Sequence, residues 1–233
     1  MLVLLAAYHY FCQYAGPKFM KKRKPYQLKN TLIVYNIFQI FMSIFIVYSG
    51  GVYGWFTRYN FNCQPVDWSE NPDPNELRVA ELVWWYYFCK LTELLDTVFF
   101  VLRKKDNQVT TLHLYHHTIM PIFSWIGLRL APGGHSTLLG WINSFVHIIM
   151  YTYYLVAGLG PQYQKYLWWK KYLTSIQLIQ FCIVFWHNFS VLFRDCAYPK
   201  TFNVFAIVES VTFIYMFGKF YYYSYVKNKK KTK

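Results

Sequence analysis

Six apolar stretches recur along the 233-residue chain, at roughly 30–55, 79–102, 112–130, 136–157, 167–189 and 202–226. Each is about as long as the ~20 residues an α-helix needs to cross the hydrocarbon of a bilayer. A seventh apolar run, roughly 1–16, is shorter than a span. A signal peptide carries its basic residues before the apolar run, whereas here they follow it. The run is therefore expected to be a first span whose N-terminal part is shortened or missing. The expectation is a single all-α integral membrane domain over 1–233 with seven transmembrane helices and no internal repeat.

Composition excludes two other classes. A chain that is 55% hydrophobic and 23% aromatic can bury far too much apolar surface to stay disordered. Its 24 Lys+Arg against 10 Asp+Glu leave a net charge of +14. A nucleic-acid binder gathers such charge on one folded face; here it falls in short bursts between apolar runs. The expected partner is a lipid bilayer and not nucleic acid. Mean hydropathy is only +0.14, because the 23 tyrosines score as polar although they sit comfortably at membrane interfaces.

The connections alternate in charge. Lys18, Lys21, Lys22, Arg23, Lys24 and Lys29 separate the first two spans, Arg103, Lys104 and Lys105 follow the third, and Lys165, Lys170 and Lys171 precede the sixth. Lys227, Lys229, Lys230, Lys231 and Lys233 end the chain. Between these lie an acidic connection with Asp67, Glu70, Asp73 and Glu76, and one near Ala131–His135 without acid or base. Positive charge marks the cytosolic side, so the C-terminus is expected in the cytosol and the N-terminus on the lumenal or outer side. Lys230 and Lys231 then resemble a dilysine signal for retrieval to the endoplasmic reticulum. The plainer alternative is a polybasic anchor to anionic lipid, about 1 kcal/mol per charge. Cys63 and Cys196 fall in connections on the oxidising side, where a disulfide is expected rather than two free thiols. Cys12, Cys89 and Cys182 fall in spans and read as packing residues.

Charged groups inside a membrane cost about 2.5–3.5 kcal/mol each on insertion scales and need a reason to be there. The third span carries Lys90, Glu93 and Asp96 at spacings of three, along one helical stripe. They form either a packing ion pair or a set of charges that orients a histidine on the next helix. The fourth span opens with His113, His116 and His117, which share a face. A lone histidine is usually structural; three within five residues at the mouth of a span point to chemistry. The fifth span places Asn143 and His147 on one face with Tyr151 a turn further, and the sixth adds Gln177 and Gln180. Such amide and phenol groups also serve as glue between helices.

Lys90-x-x-Glu93-x-x-Asp96-Thr97, His113-x-x-His116-His117, Asn143-x-x-Val146-His147-x-x-Met150-Tyr151-x-Tyr153-Tyr154 and Thr174-x-x-Gln177-x-x-Gln180 together resemble the four signatures of the very-long-chain fatty acid elongases, the ELO family of 3-oxoacyl-CoA synthases. The resemblance runs from about Gly16 to the C-terminus and departs at the short N-terminus. It implies a seven-helix bundle, six of whose helices surround an acyl-chain tunnel. It also implies condensation of an acyl-CoA with malonyl-CoA to a 3-oxoacyl-CoA, CoA and CO2 in the endoplasmic-reticulum membrane. No cofactor is implied, and homodimers and association with the reductases and dehydratase of the cycle are family expectations.

The residues suit that chemistry. Histidine can serve as a covalent nucleophile, and His116 is the expected one, with His147 as second nucleophile or base. His113 and His117 would position or polarise a carbonyl. Lys90, Glu93 and Asp96 would tune the imidazoles, and Asn143, Tyr151, Gln177 and Gln180 would donate to oxyanions. A ternary complex with histidine only as general base uses the same residues. Arg103, Lys104, Lys105, Lys165, Lys170 and Lys171 are placed to attract the CoA phosphates. Chain length is expected to depend on the far end of the tunnel, around Trp125–Leu130 or His187. Two rival classes remain. A di-iron desaturase or hydroxylase needs about eight imidazoles, and the chain has seven, with one box. A seven-span receptor or transporter would leave the histidine cluster without a use.

Overall fold

The computed structural model describes residues 1–227, and among these there is no β-strand. Helix α1 (Leu2–Tyr10) passes through a π-turn at Phe11–Ala15 into α2 (Gly16–Met20). Helix α3 (Lys29–Gly50) continues through a second π-turn at Gly51–Trp55. Then follow α4 (Pro74–Thr92) and α5 (Leu94–Leu102), which meet at Glu93, and α6 (Thr111–Leu130), α7 (Thr137–Leu159), α8 (Lys170–Val191) and α9 (Lys200–Tyr221).

Three helical stretches are long and apolar enough to cross a membrane by length and composition alone: Lys29–Trp55, Thr137–Leu159 and Lys200–Lys227. The α4–α5, α6 and α8 segments carry the buried Lys90, Glu93, Asp96, His117, Gln180 and His187. Hydropathy averages every face of a helix, so inward polar groups lower the mean without changing the outer surface. On α8 that outer surface carries apolar groups, Ile179, Ile183 and Trp186 being 58%, 45% and 67% exposed. On α3, Val34, Phe41 and Tyr48 follow one another at seven-residue intervals and are 68%, 66% and 71% exposed. A stripe of this size is a liability in water and the natural contact with lipid.

Helix α3 packs along α7, α8 along α9 and α4 along α6, while α2 and the π-turn before it lie against α5. The central core joins Met42 and Ile46 of α3, Tyr86 and Cys89 of α4, Met120, Phe181 and Phe213. A separate cluster seats α1 on α5, with Leu5, Tyr8 and Cys12 against Leu94 and Val101.

One end of the bundle is tied together by its connections. Asp73 caps α4, its carboxylate accepting from the Asn75 N–H at 2.8 Å, and Pro74 fills the first helical position. Asp67 accepts from the backbone of Ser69 and of Asp73, both at 3.0 Å. These backbone bonds hold both carboxyls below the ordinary aspartate value. Tyr59 donates to Glu76 at 2.7 Å and receives the Gly134 N–H at 3.4 Å. Gly134 has φ 70°, and a Cβ there would lie 2.9 Å from the Gln64 carbonyl oxygen, so only glycine fits. Cys63 and Cys196 are joined in a disulfide. His135 and His187 stack with ring centroids 3.7 Å apart, each ring Nε2 facing the other residue's carbonyl, at 3.3 and 3.2 Å. The Lys230–Lys231 pair lies outside the described residues.

The disulfide closes a loop with a sequence separation of 133, which chain entropy rates at about 4 kcal/mol or more. Cys63→Ser is expected to lower the melting temperature of the purified protein. Denaturing alkylation without reductant should label three thiols, Cys12, Cys89 and Cys182, and all five cysteines after reduction. Five labelled thiols before reduction would contradict the bond.

Candidate active site

Lys90 is 2% exposed, and each of its three N–H groups finds an acceptor. Nζ donates to Glu93 Oε1 and Oε2 at 2.7 and 2.9 Å and to Asn143 Oδ1 at 2.8 Å. Tyr86, one turn before Lys90, donates to the same Asn143 oxygen at 3.0 Å. Asn143 therefore accepts from two donors of α4 with its oxygen, and its amide nitrogen has no hydrogen-bond partner among the described residues. Glu93 also faces His147, whose Nδ1 lies 3.1 Å from Oε1. A carboxylate can only accept, so this contact places the proton of a neutral His147 on Nδ1 and the lone pair on Nε2.

Asp96 leaves the stripe that its spacing implies. Its backbone N–H bonds three residues back to Glu93, at 3.1 Å, rather than four. The tighter turn between α4 and α5 coincides with a different partner: Asp96 Oδ2 accepts from Tyr151 of α7 at 2.8 Å. Asp96 and Tyr151 thus form a second buried link between the two segments.

The three histidines stand on the first two turns of α6. Thr110 caps that helix by accepting the His113 N–H at 3.2 Å. Pro121 lies within the helix and has no N–H to close on the His117 carbonyl four residues earlier. His113 and His117 have ring centroids 4.1 Å apart, and His116 and His117 5.2 Å. His113 Nε2 is 2.8 Å from Thr97 Oγ1 on α5. His116 packs on Phe213 at 5.4 Å between centroids.

Two cavities follow from this packing. The inner one, about 410 Å³, is lined by His116, Asn143, Gln180, Glu209 and the apolar Met120, Phe181 and Val184. The outer one, about 720 Å³, is almost wholly apolar, and Trp55, Tyr59, Tyr198 and Phe202 are among its lining residues. Phe123 and Leu139 line both. Of the stretch Trp125–Leu130 only Gly127 lines the outer cavity; Trp125 and Leu130 are exposed, and His187 is engaged with His135.

Gln180 is buried, and its Oε1 lacks a partner among the described residues. Gln177, a turn earlier, donates to Met150 Sδ at 3.8 Å and has no hydrogen bond to a histidine among the described residues. Arg103, Lys104 and Lys105 close α5, and Lys165, Lys170 and Lys171 lie before and at the start of α8. Lys165 rests on the Tyr166 ring and Lys171 on that of Tyr221. Among the described residues no group of three His, Cys, Asp or Glu is placed to hold a metal ion. Cys89 lies in the central core, away from the cavity lining.

Two site neighbours escape a reading by motif. Glu209 of α9 accepts from Tyr115 at 2.8 Å beside the inner cavity; an acid within an apolar span is the sign that would have marked it. Tyr86 stands four residues before Lys90, on the same face, but a tyrosine among many carries no mark of its own.

A family model described as ELO: GNS1/SUR4 family matches residues 1–233. The chain is 51% identical over 231 residues to a very long chain fatty acid elongase of Aedes aegypti, covering 99% of this chain and 64% of that protein. It is 48% identical over 233 residues to very long chain fatty acid elongase 7 of Drosophila melanogaster, covering 100% of this chain and 70% of the relative. Against human very long chain fatty acid elongase 1 the identity is 42% over 233 residues, covering 99% and 82%.

Removing Lys90 would strand a carboxylate that is 3% exposed. Lys90→Met is expected to destabilise the protein by about 3–5 kcal/mol, read as a large drop in melting temperature in detergent. Adding Glu93→Gln removes the stranded charge and should recover part of that loss. A Lys90→Met protein as stable as wild type would show that the pair is not buried as described.

Proposed function

The chain belongs to the ELO family, and on that premise we propose that it is a condensing enzyme of fatty acid elongation, a 3-oxoacyl-CoA synthase. It joins a long-chain acyl-CoA to malonyl-CoA, giving a 3-oxoacyl-CoA, CoA and CO2. One observation carries the reading: a carboxylate-held imidazole next to a histidine-lined apolar cavity. Glu93 Oε1 holds His147 Nδ1 at 3.1 Å, and Asn143, one turn before His147, shares the inner cavity wall with His116.

In the proposed sequence a ring nitrogen of His116 attacks the thioester carbonyl of acyl-CoA and the C–S bond breaks. CoA departs with the proton that the imidazole loses, passed through Nε2 of His147. Malonyl-CoA then loses CO2, and the electron pair of the broken C–C bond becomes an enolate. The enolate attacks the acyl-imidazole carbon, the C–N bond breaks, and His116 takes up a proton. The free amide nitrogen of Asn143, with Gln180, donates to the oxyanions. His113 and His117 hold the thioester. The alkyl chain occupies the two cavities as one tunnel, and Trp55, Tyr59, Tyr198 and Phe202 limit its length.

The wider reading follows the charge pattern and the family. The chain forms one domain of seven spans, six of them around the tunnel, in the endoplasmic-reticulum membrane with a cytosolic C-terminus bearing Lys230 and Lys231. Arg103, Lys104, Lys105, Lys165, Lys170 and Lys171 draw in the anionic CoA. No redox cofactor takes part, and the product passes to the reductases and dehydratase of the cycle, with homodimerisation as a further expectation.

Purified protein given acyl-CoA and labelled malonyl-CoA without NADPH is expected to form labelled 3-oxoacyl-CoA. His116→Ala and His147→Ala should lower that rate by at least 100-fold. Acyl-CoA alone should add one acyl mass to the wild type and none to His116→Ala. Product without any acyl-enzyme would replace the covalent route by a ternary complex, and no product from an intact preparation would overturn the reading.

A further inference from the structure

Helix α1 carries no signature residue, yet two of its consecutive side chains reach the histidine region. Tyr8 OH lies 2.6 Å from Thr97 Oγ1, and Thr97 Oγ1 lies 2.8 Å from His113 Nε2. Tyr8 is 7% and Thr97 0% exposed. Next to Tyr8, His9 Nε2 lies 2.7 Å from Thr118 Oγ1 on α6. Thr118 spends its own proton on the Leu114 carbonyl at 2.7 Å, and Gln13 donates to His9 Nδ1 at 2.7 Å. His9 therefore donates to Thr118, which pins α1 to the turn beyond the histidine box.

The direction of the Tyr8–Thr97–His113 chain follows from counting donors and acceptors. Neither Tyr8 nor Thr97 has another side-chain partner among the described residues. If Thr97 gave its proton to Tyr8, the phenol O–H would point into the apolar cluster of Leu5, Cys12, Leu94 and Val101 without an acceptor, a costly arrangement. The chain is satisfied when Tyr8 donates to Thr97 and Thr97 donates to His113 Nε2. Nε2 is then occupied as an acceptor, and the imidazole proton sits on Nδ1.

We infer that Tyr8 of α1 is a positioning residue which, through Thr97, holds His113 as the Nδ1–H tautomer, so that His113 serves the reaction as a hydrogen-bond donor to the substrate carbonyl and not as a nucleophile. This rests on the condensation reading given above. It assigns the first helix a part in the chemistry, beyond anchoring the chain. It also separates two histidines of one motif: His113 has its outer nitrogen committed to a neighbouring helix, whereas His116 faces the cavity.

Tyr8→Phe removes the hydroxyl and keeps the ring in its cluster. It is expected to lower kcat for condensation about tenfold with KM for acyl-CoA unchanged, as expected when an interaction aligned for the transition state is lost. Thr97→Val should cost at least as much, and Thr97→Ser, which retains the hydroxyl, should recover most of that rate. In a His113→Gln background Tyr8→Phe should cost nothing further, because its effect passes through that ring. An equal tenfold loss in both backgrounds would overturn the inference. A second arm needs no turnover: in ¹⁵N-histidine NMR of the detergent-solubilised protein, the His113 resonance, assigned by its absence in His113→Gln, should report Nδ1–H in wild type and a mixture of tautomers in Tyr8→Phe. An unchanged tautomer in Tyr8→Phe would overturn the role of Tyr8. A wild type that catalyses no condensation yet shows the tautomer change would overturn the proposed reaction and leave the positioning role standing.

Discussion

An ammonium group inside an apolar bundle dictates its surroundings. Burying one ion without compensation costs several kcal/mol even after relaxation, and Lys90 is almost completely buried. Its three donors need three acceptor positions, and the structure supplies them from two places: the Glu93 carboxylate one turn on and Asn143 of α7. Glu93 in turn has capacity left over and takes His147. The ion pair thus fixes the relative rotation of α4 and α7 and aims an imidazole in the same act. Stability of the bundle and readiness of the site draw on one set of contacts.

Helix association in lipid lacks the hydrophobic drive that works in water, since the tails are as apolar as the side chains. Close packing and interhelical hydrogen bonds must replace it. Gly140 on α7 lets the Tyr86 ring approach until an added Cβ would stand 3.5 Å from it. Gln39 of α3 donates to Thr92 at 2.9 Å, Tyr151 of α7 to Asp96 at 2.8 Å, and Asn203 of α9 to Asn188 of α8 at 3.0 Å. These bonds tie neighbouring helices, and the outer cavity between them is almost wholly apolar, while the inner one carries His116, Asn143, Gln180 and Glu209. At one end of the bundle the disulfide, the Tyr59–Glu76 bond and the stacked His135–His187 pair hold the connections together.

Much of the site was legible because its spacing is helical. Lys90 with Glu93, the His113–His116–His117 face, and Asn143 with His147 are each contained within one helix, and a period of 3.6 brings them together on paper. Asp96 shows where that arithmetic stops. The turn at Glu93 closes three residues back, so Asp96 serves Tyr151 instead of Lys90. Gln177 shares a face with Gln180 by spacing, yet only Gln180 lines the inner cavity. His9 and His135 carry no motif, and their partners lie 109 and 52 residues away.

From the sequence by itself came the helical membrane class, the elongase resemblance, the polar residues set within the apolar stretches and the pairing of Cys63 with Cys196, because all of these depend on local periodicity, composition and the alternation of charge between connections. Tertiary structure alone decided which oxygen holds which imidazole, that Tyr8 stands behind Thr97 and His113, that Glu209 borders the inner cavity, and that aromatic residues from distant segments line the outer one. The reason is physical. A hydrogen bond is made or lost within a few tenths of an ångström, and contacts between helices far apart in the chain depend on the rotation and depth of every helix at once, which no periodicity within one segment records.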